Sequence, residues 1–275
     1  MLTGILQVLF HSADTMVVGR FAGSNSMAAV GSTGSLVNLL TKLFLSISVG
    51  PSVLCARCYG SRDYEMLHKS AHTAVTLGAL LGILVCLVGV FFSTPLLRLM
   101  KTDETVLPLA SLYLKLFFLG TPASMTYNFT AAVQRALGDT DRPLKIMLLS
   151  GLVNLILNII FVAVFHMDVA GVALATVLSN YLSAFLVLRL LTRSDGHLKL
   201  RVKSLGLHWK STLEILRIGL PAGINSTLYN FANVTIQSGV NSLGPIAMAG
   251  NAAASSVDSL IHTAMTSFYN AAPAF

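Results

Sequence analysis

AHTAVTLGALLGILVCLVGVFFSTPLL, residues 71–97, carries no Asp, Glu, Lys or Arg over its whole length. A helix crosses the hydrocarbon core of a bilayer in roughly 20 residues, so this run is long enough to span it. Outward from it the pattern recurs. Apolar segments bracketed by charges and turn residues cover 1–18, 26–56, 71–97, 106–134, 144–166, 169–190, 213–237 and 246–275. Of the 275 residues only 11% are charged, and the mean hydropathy is +0.74. A soluble domain carries about 25% charged residues. Backbone groups in lipid must be hydrogen-bonded within the span, which selects helices, and the ten-residue alternation of a membrane barrel is absent. The expected fold is an all-α polytopic membrane protein. The net charge of +7 does not point to nucleic acid, because the basic residues sit between apolar runs rather than on one face with aromatics. Cys55, Cys58 and Cys86 make no disulfide framework, and Cys55-Ala-Arg-Cys58 has no second pair to complete a metal site.

The connections between spans fall into two classes. Arg57, Arg62 and Lys69, then Arg135, Arg142 and Lys145, then the run from Arg189 to Arg217 hold 13 of the 18 Lys and Arg residues. The opposite set holds Arg20, Arg98, Lys101 and Lys115, and Lys42 lies inside a span. By the positive-inside rule the basic connections are cytoplasmic, which predicts a multi-pass protein of the cell membrane with its first helix running outward. The longest polar connection, 192–212, predicts a boundary between a six-helix lobe, 1–191, and the start of a second, 213–275.

A shift of 219 residues supports two lobes. ILQVLFHSADTMVV, 5–18, falls on INSTLYNFANVTIQ, 224–237, so that Asp14 meets Asn233 and, further on, Gly31 meets Gly250. Six spans separate the copies, an even number, so both enter the membrane from one side. That is a parallel repeat, a plan used by secondary transporters. The second copy covers two helices only. The reading is therefore a fragment of a twelve-helix protein, lacking the start of helix one and most of the C-terminal lobe.

Polar residues recur on single helix faces inside the spans. Thr3, Gln7, His11 and Asp14 form one stripe, and Ser226, Asn230, Asn233 and Gln237 its counterpart. Gly31, Ser35, Asn38 and Lys42 form another, followed by Ser150, Asn154 and Asn158, then Thr176, Asn180 and Ser183. Hydrogen bonds between helices, worth about 0.6 kcal/mol each, explain any one Ser or Thr. Several stripes turned inward instead predict a polar cavity, with Gln7, His11, Ser35, Asn38, Asn180, Tyr229, Asn230 and Asn233 among its lining. Asp14 differs in kind, since an ionised Asp at a helix centre costs about 2.5–3.5 kcal/mol. Such a group can carry a proton or bind Na+ beside amide and hydroxyl oxygens. Asp258 and His262 make a further i, i+4 pair in the last span, without an assigned role.

Several stretches together resemble the multidrug and toxic compound extrusion (MATE) family. They are ADTMVVGRFAG and MAAVGSTGSLVNLL, ARCYGSRD after span two, QRALGDTDRPL before span five, NLILNIIFV, VAGVALATVLSN and IGLPAG. The likeness runs the length of the chain in order and is similar to the DinF/MepA-like bacterial branch. The resemblance implies an antiporter whose two lobes rock, expelling bulky, often cationic drugs in exchange for H+ or Na+, with no other cofactor and as a monomer. It places the ion site of the first lobe on Asp14, Asn154, Asn158 and Thr176. Asn158 stands where some relatives have a carboxylate, and Tyr229 where the NorM-like branch has a glutamate. Within the loops, Gly60 and Gly138 permit tight helix exits, and Asp139, Thr140 or Asp141 can cap span five ahead of Pro143.

Two other functions compete. A lipid-linked oligosaccharide flippase of the same superfamily would need a strongly basic cavity, whereas only Lys42 lies in a span. A membrane enzyme would need a catalytic motif, and HExxH, GxSxG and paired aspartates are all absent. A truncated, inactive product is a third reading of the short second copy.

Overall fold

The computed structural model describes residues 14, 16–20, 23–193, 200 and 205–271, and these contain helices and no strand. Asp14 and residues 16–20 are helical and form α1, the close of the first span. There follow α2 (Gly23–Ser46), α3 (Val49–Gly60), α4 (Tyr64–Leu99), α5 (Leu107–Leu119), α6 (Thr121–Ala136) and α7 (Asp141–Asn158), which continues as a π-helical turn, Ile159–Val164. The chain ends in α8 (Asp168–Arg193), α9 (Trp209–Asn241) and α10 (Pro245–Ala271). Among the described residues, four helical stretches are long and apolar enough to cross a membrane: Asn25–Gly60, Tyr64–Leu99, Asp141–Val164 and Asp168–Arg193.

Two of the expected spans are broken, each at a proline. Within 26–56 the helix stops at Ser46 and resumes at Val49, two residues before Pro51. Proline has no N–H for Ile47 O and its ring crowds that carbonyl. The chain tightens instead, with Ser48 N–H donating to Leu45 O at 2.9 Å and Gly50 N–H to Ile47 O at 2.9 Å. Within 106–134 the break falls at Gly120, before Pro122. There Thr121 Oγ1 lies 2.8 Å from Phe118 O and 3.1 Å from Gly82 O, capping the loosened end and tying it to α4.

Helix α4 is the spine. One face carries Gly78, Gly82 and Gly89, whose missing side chains admit Phe129, Pro122 and Phe118 of α5 and α6. The other face exposes Leu80, Leu84, Leu87 and Phe91, the last 73% exposed. Leu149, Leu152 and Ile156 of α7 and Leu178 and Phe185 of α8 extend this outward apolar belt. Monomeric soluble proteins rarely expose contiguous apolar patches beyond a few hundred Å². The belt faces lipid.

The interior has two apolar centres. One gathers Val18, Ala28, Leu36, Leu114, Phe118, Val172 and Met248; the other, nearer the basic connections, gathers Leu54, Leu67, Met125, Phe129 and Ile215. Helices α9 and α10 pack on α2 and α3 at backbone distance. A Cβ on Gly50 would stand 2.3 Å from Ile215 O, and one on Gly31 would stand 2.0 Å from the Ala252 Cβ. Arg57 of α3 pairs with Glu214 of α9, and Asn241 Nδ2 at the far end of α9 donates to Met100 O at 3.0 Å. The second-copy stripe is partly consumed here, since Gln237 Nε2 donates to Asn241 Oδ1 at 2.9 Å.

The loops refine the expected caps. Gly138 has φ +88°, but Gly60 closes α3 in ordinary helical form and Arg62 takes the left-handed turn at φ 59°. At α7 the capping acceptor is Asp139, whose Oδ1 receives the Arg142 N–H at 3.2 Å, while Thr140 makes no cap bond.

The glycine face yields a first prediction. Gly89→Ala drives a methyl into the fully buried Phe118 ring and costs about 1–3 kcal/mol. Gly239→Ala, with open space around it, is neutral or gains up to about 1 kcal/mol from helix propensity. Thermal unfolding in detergent compares the two, and equal melting temperatures would contradict the close-packed face.

Candidate functional site

Asp14 is 9% exposed and faces α7 and α8. Asn154 and Asn158 stand one turn apart on α7, so both amides meet the same carboxylate. Asn158 Nδ2 donates to Asp14 Oδ1. Asn154, with its amide nitrogen toward the carboxylate, donates to the same oxygen at 3.0 Å, and its own oxygen accepts from Thr176 N–H of α8 at 3.2 Å. That orientation satisfies both neighbours. Thr176 Oγ1 donates to Val172 O at 3.0 Å and so enters the cluster through Asn154 rather than by touching Asp14. Three helices are thus joined at one acid. Asn158 is fully buried and its Oδ1 has no partner among the described residues. The π-helical turn begins at the next residue, and such turns recur where a helix is adapted to a site.

The cluster opens on a cavity of about 360 Å³, within the size range of small-molecule pockets. Val30, Thr33, Val37, Asn38, Thr41 and Lys42 of α2 form one wall, and Tyr113 and Phe117 of α5 and Tyr127 and Asn128 of α6 another. Met147, Ser150 and Asn154 of α7 and Thr176, Ser179, Asn180 and Ser183 of α8 close it. The hydroxyls donate within their own helices: Thr41 to Val37 O, Ser150 to Met147 O, Ser179 to Thr176 O and Ser183 to Asn180 O. Each therefore turns lone pairs, not a proton, toward the cavity.

The structure brings Asp14, Asn154, Asn158 and Thr176 together and sets Asn38 and Asn180 on the cavity wall. Ser35 is not on that wall. The side of α2 bearing Gly31 is taken by α10, and the buried Ser35 hydroxyl has no partner among the described residues. Asn233 is half-buried on α9 and is not among the residues lining this cavity, and Asp258 is exposed. Gln7 and His11, and the side chains of Tyr229, Asn230 and His262, lie outside the described residues. Thr33, Thr41, Tyr113, Tyr127 and Asn128 were not singled out from sequence. Asn128, an amide inside an apolar span, was the one detectable signal among them.

The MatE family profile matches residues 1–160, more than half of the chain. Over 261 residues the chain is 30% identical to the probable multidrug resistance protein YpnP of Bacillus subtilis, covering 95% of this chain and 58% of that protein. It is 26% identical over 236 residues to the multidrug export protein MepA of Staphylococcus aureus, covering 86% and 52%. Among solved structures, an inward-facing MATE family multidrug resistance transporter of the MOP superfamily matches with TM-score 0.83 and 25% identity, over 90% of this chain and 57% of that one. The chain spans a little over half the length of the relatives it matches.

If the amide holds the acid, the two are energetically coupled. Asn158→Leu removes a donor from a buried carboxylate and costs about 1–3 kcal/mol. Asp14→Leu and Asn158→Leu combined lose less than the sum of the single losses, by more than about 0.5 kcal/mol. Additive losses in a double-mutant unfolding cycle would dissolve the pair.

Proposed function

The chain belongs to the MatE family, and from that premise we propose that it forms the ion-coupling lobe of a multidrug efflux antiporter. In this reading residues 1–191 are the N-terminal lobe, 192–212 the linker, and 213–275 the beginning of the C-terminal lobe. The protein sits in the cell membrane as a monomer with its basic connections in the cytoplasm. It exchanges organic compounds for H+ or Na+ by alternating access.

One observation carries the proposal: a carboxylate buried in a membrane bundle, held by two amides from a facing helix, at the wall of a cavity. A charge in that position requires a partner or a function. Asp14 is the coupling residue. A proton on its carboxyl removes the charge and can be donated to the unpartnered Asn158 Oδ1, whereas Na+ would take that oxygen and the carboxylate as ligands. Either event changes what binds α1 to α7. The bundle repacks, and a ligand leaves if its affinity differs between the two states. Asn154 transmits the change to α8 through the Thr176 backbone. A flippase for lipid-linked sugars is disfavoured, because Lys42 is the only Lys or Arg among the described residues of the cavity wall.

The test uses the restored full-length protein in proteoliposomes, with an H+ or Na+ gradient and a panel of fluorescent dyes that includes ethidium. Asp14→Asn is expected to abolish gradient-driven movement of every dye the wild type moves, while the melting temperature stays within a few degrees. Retained gradient-driven transport by Asp14→Asn would overturn the assignment.

A further inference from the structure

The cavity holds two opposite charges, and they are not equivalent. Asp14 is 9% exposed, and one of its oxygens already receives two amide donors. Lys42 also lines the cavity but is exposed to it, and its ammonium makes no ion pair or hydrogen bond among the described residues. Asp14 lies six residues before Arg20, the last described residue of α1, and Lys42 nineteen residues after Gly23, the first of α2. Spans that cross a membrane in succession run in opposite directions, so at a 1.5 Å rise the two lie at depths differing by on the order of 20 Å. The acid and the base are therefore separate stations. Thr41, Ser150, Ser179 and Ser183 turn acceptors toward the cavity, and among the described lining residues Lys42 alone carries a full positive charge.

We propose that Lys42 determines substrate charge, and that the cavity takes aromatic compounds bearing an anionic group, seated on its ammonium. Leu45, one turn from Lys42 on α2, and Tyr127 supply the wall for the ring system, and Asn38, one turn to the other side of Lys42, supplies an amide beside the anion. The inference rests on the efflux reading for its biological meaning, but the binding preference stands on the cavity itself. Asp14 is reserved for the coupling ion. A cationic drug at Asp14 would compete there with the coupling ion.

Two dyes with one xanthene skeleton and opposite charge separate the possibilities. Fluorescence polarisation of fluorescein, an anion, and rhodamine 123, a cation, is measured on the full chain in phosphatidylcholine nanodiscs, without any ion gradient. The wild type is expected to bind fluorescein more tightly. Lys42→Gln should weaken fluorescein about tenfold or more while sparing or improving rhodamine 123, which also reports that the cavity is folded. Lys42→Arg should restore the preference. Tighter rhodamine binding by the wild type, or a fluorescein affinity that Lys42→Gln leaves unchanged, would overturn the proposal. Because no gradient is involved, a failure of Asp14 as coupling residue leaves this result readable, and the converse also holds.

Discussion

The contact between the Asn158 amide and the Asp14 carboxylate is the constraint around which the bundle is arranged. An ionised carboxyl inside a bilayer costs several kcal/mol unless donors replace its water. A hydrogen bond to a charged group returns about 1.5–3 kcal/mol, so two amides return about 3–6 kcal/mol, enough to offset the cost. In the proposed coupling, a proton or a cation at the carboxyl alters the balance between α1 and α7, and through Asn154 it reaches α8.

The rest of the fold holds that site in register. The glycine face of α4 lets α5 and α6 approach closely, and at the two proline breaks Ile47 O and Phe118 O accept from Gly50 N–H and Thr121 Oγ1. Tyr127, on the cavity wall, donates to Pro143 O at 2.8 Å and so ties α6 to the start of α7. The polar walls therefore sit on rigid helices, while the lipid-facing sides carry interchangeable apolar residues. Helix α9 is fastened to this lobe at both ends, by Glu214 to Arg57 and by Asn241 to Met100 O.

Much of this was legible in the residues because bilayers impose simple rules. The spans announce themselves by length and lack of charge, and Asn154 and Asn158 share a face by spacing alone. What spacing could not supply was the rotation of each helix. On α2 the polar positions Gly31 and Ser35 lie beside the cavity-facing Val30, Gly34 and Val37, and only the packing of α10 against Gly31 decides which set turns inward. Pro51 and Pro122 were visible, yet apolar runs on both sides masked their effect. Tyr113, Phe117 and Tyr127 read as ordinary packing aromatics, because a cavity wall and a core use the same side chains. Lys42 stands out in the sequence as a lone intramembrane cation, but spacing does not say that it turns toward a cavity.

The central claim is that Asp14 changes its environment as substrate binds and leaves. Labelling with dicyclohexylcarbodiimide, which modifies protonated carboxyls in apolar surroundings, reads this directly by peptide mass spectrometry. The account predicts modification at Asp14 that falls when a transported dye is bound. Equal modification with and without the dye, across the pH range in which transport occurs, would contradict it.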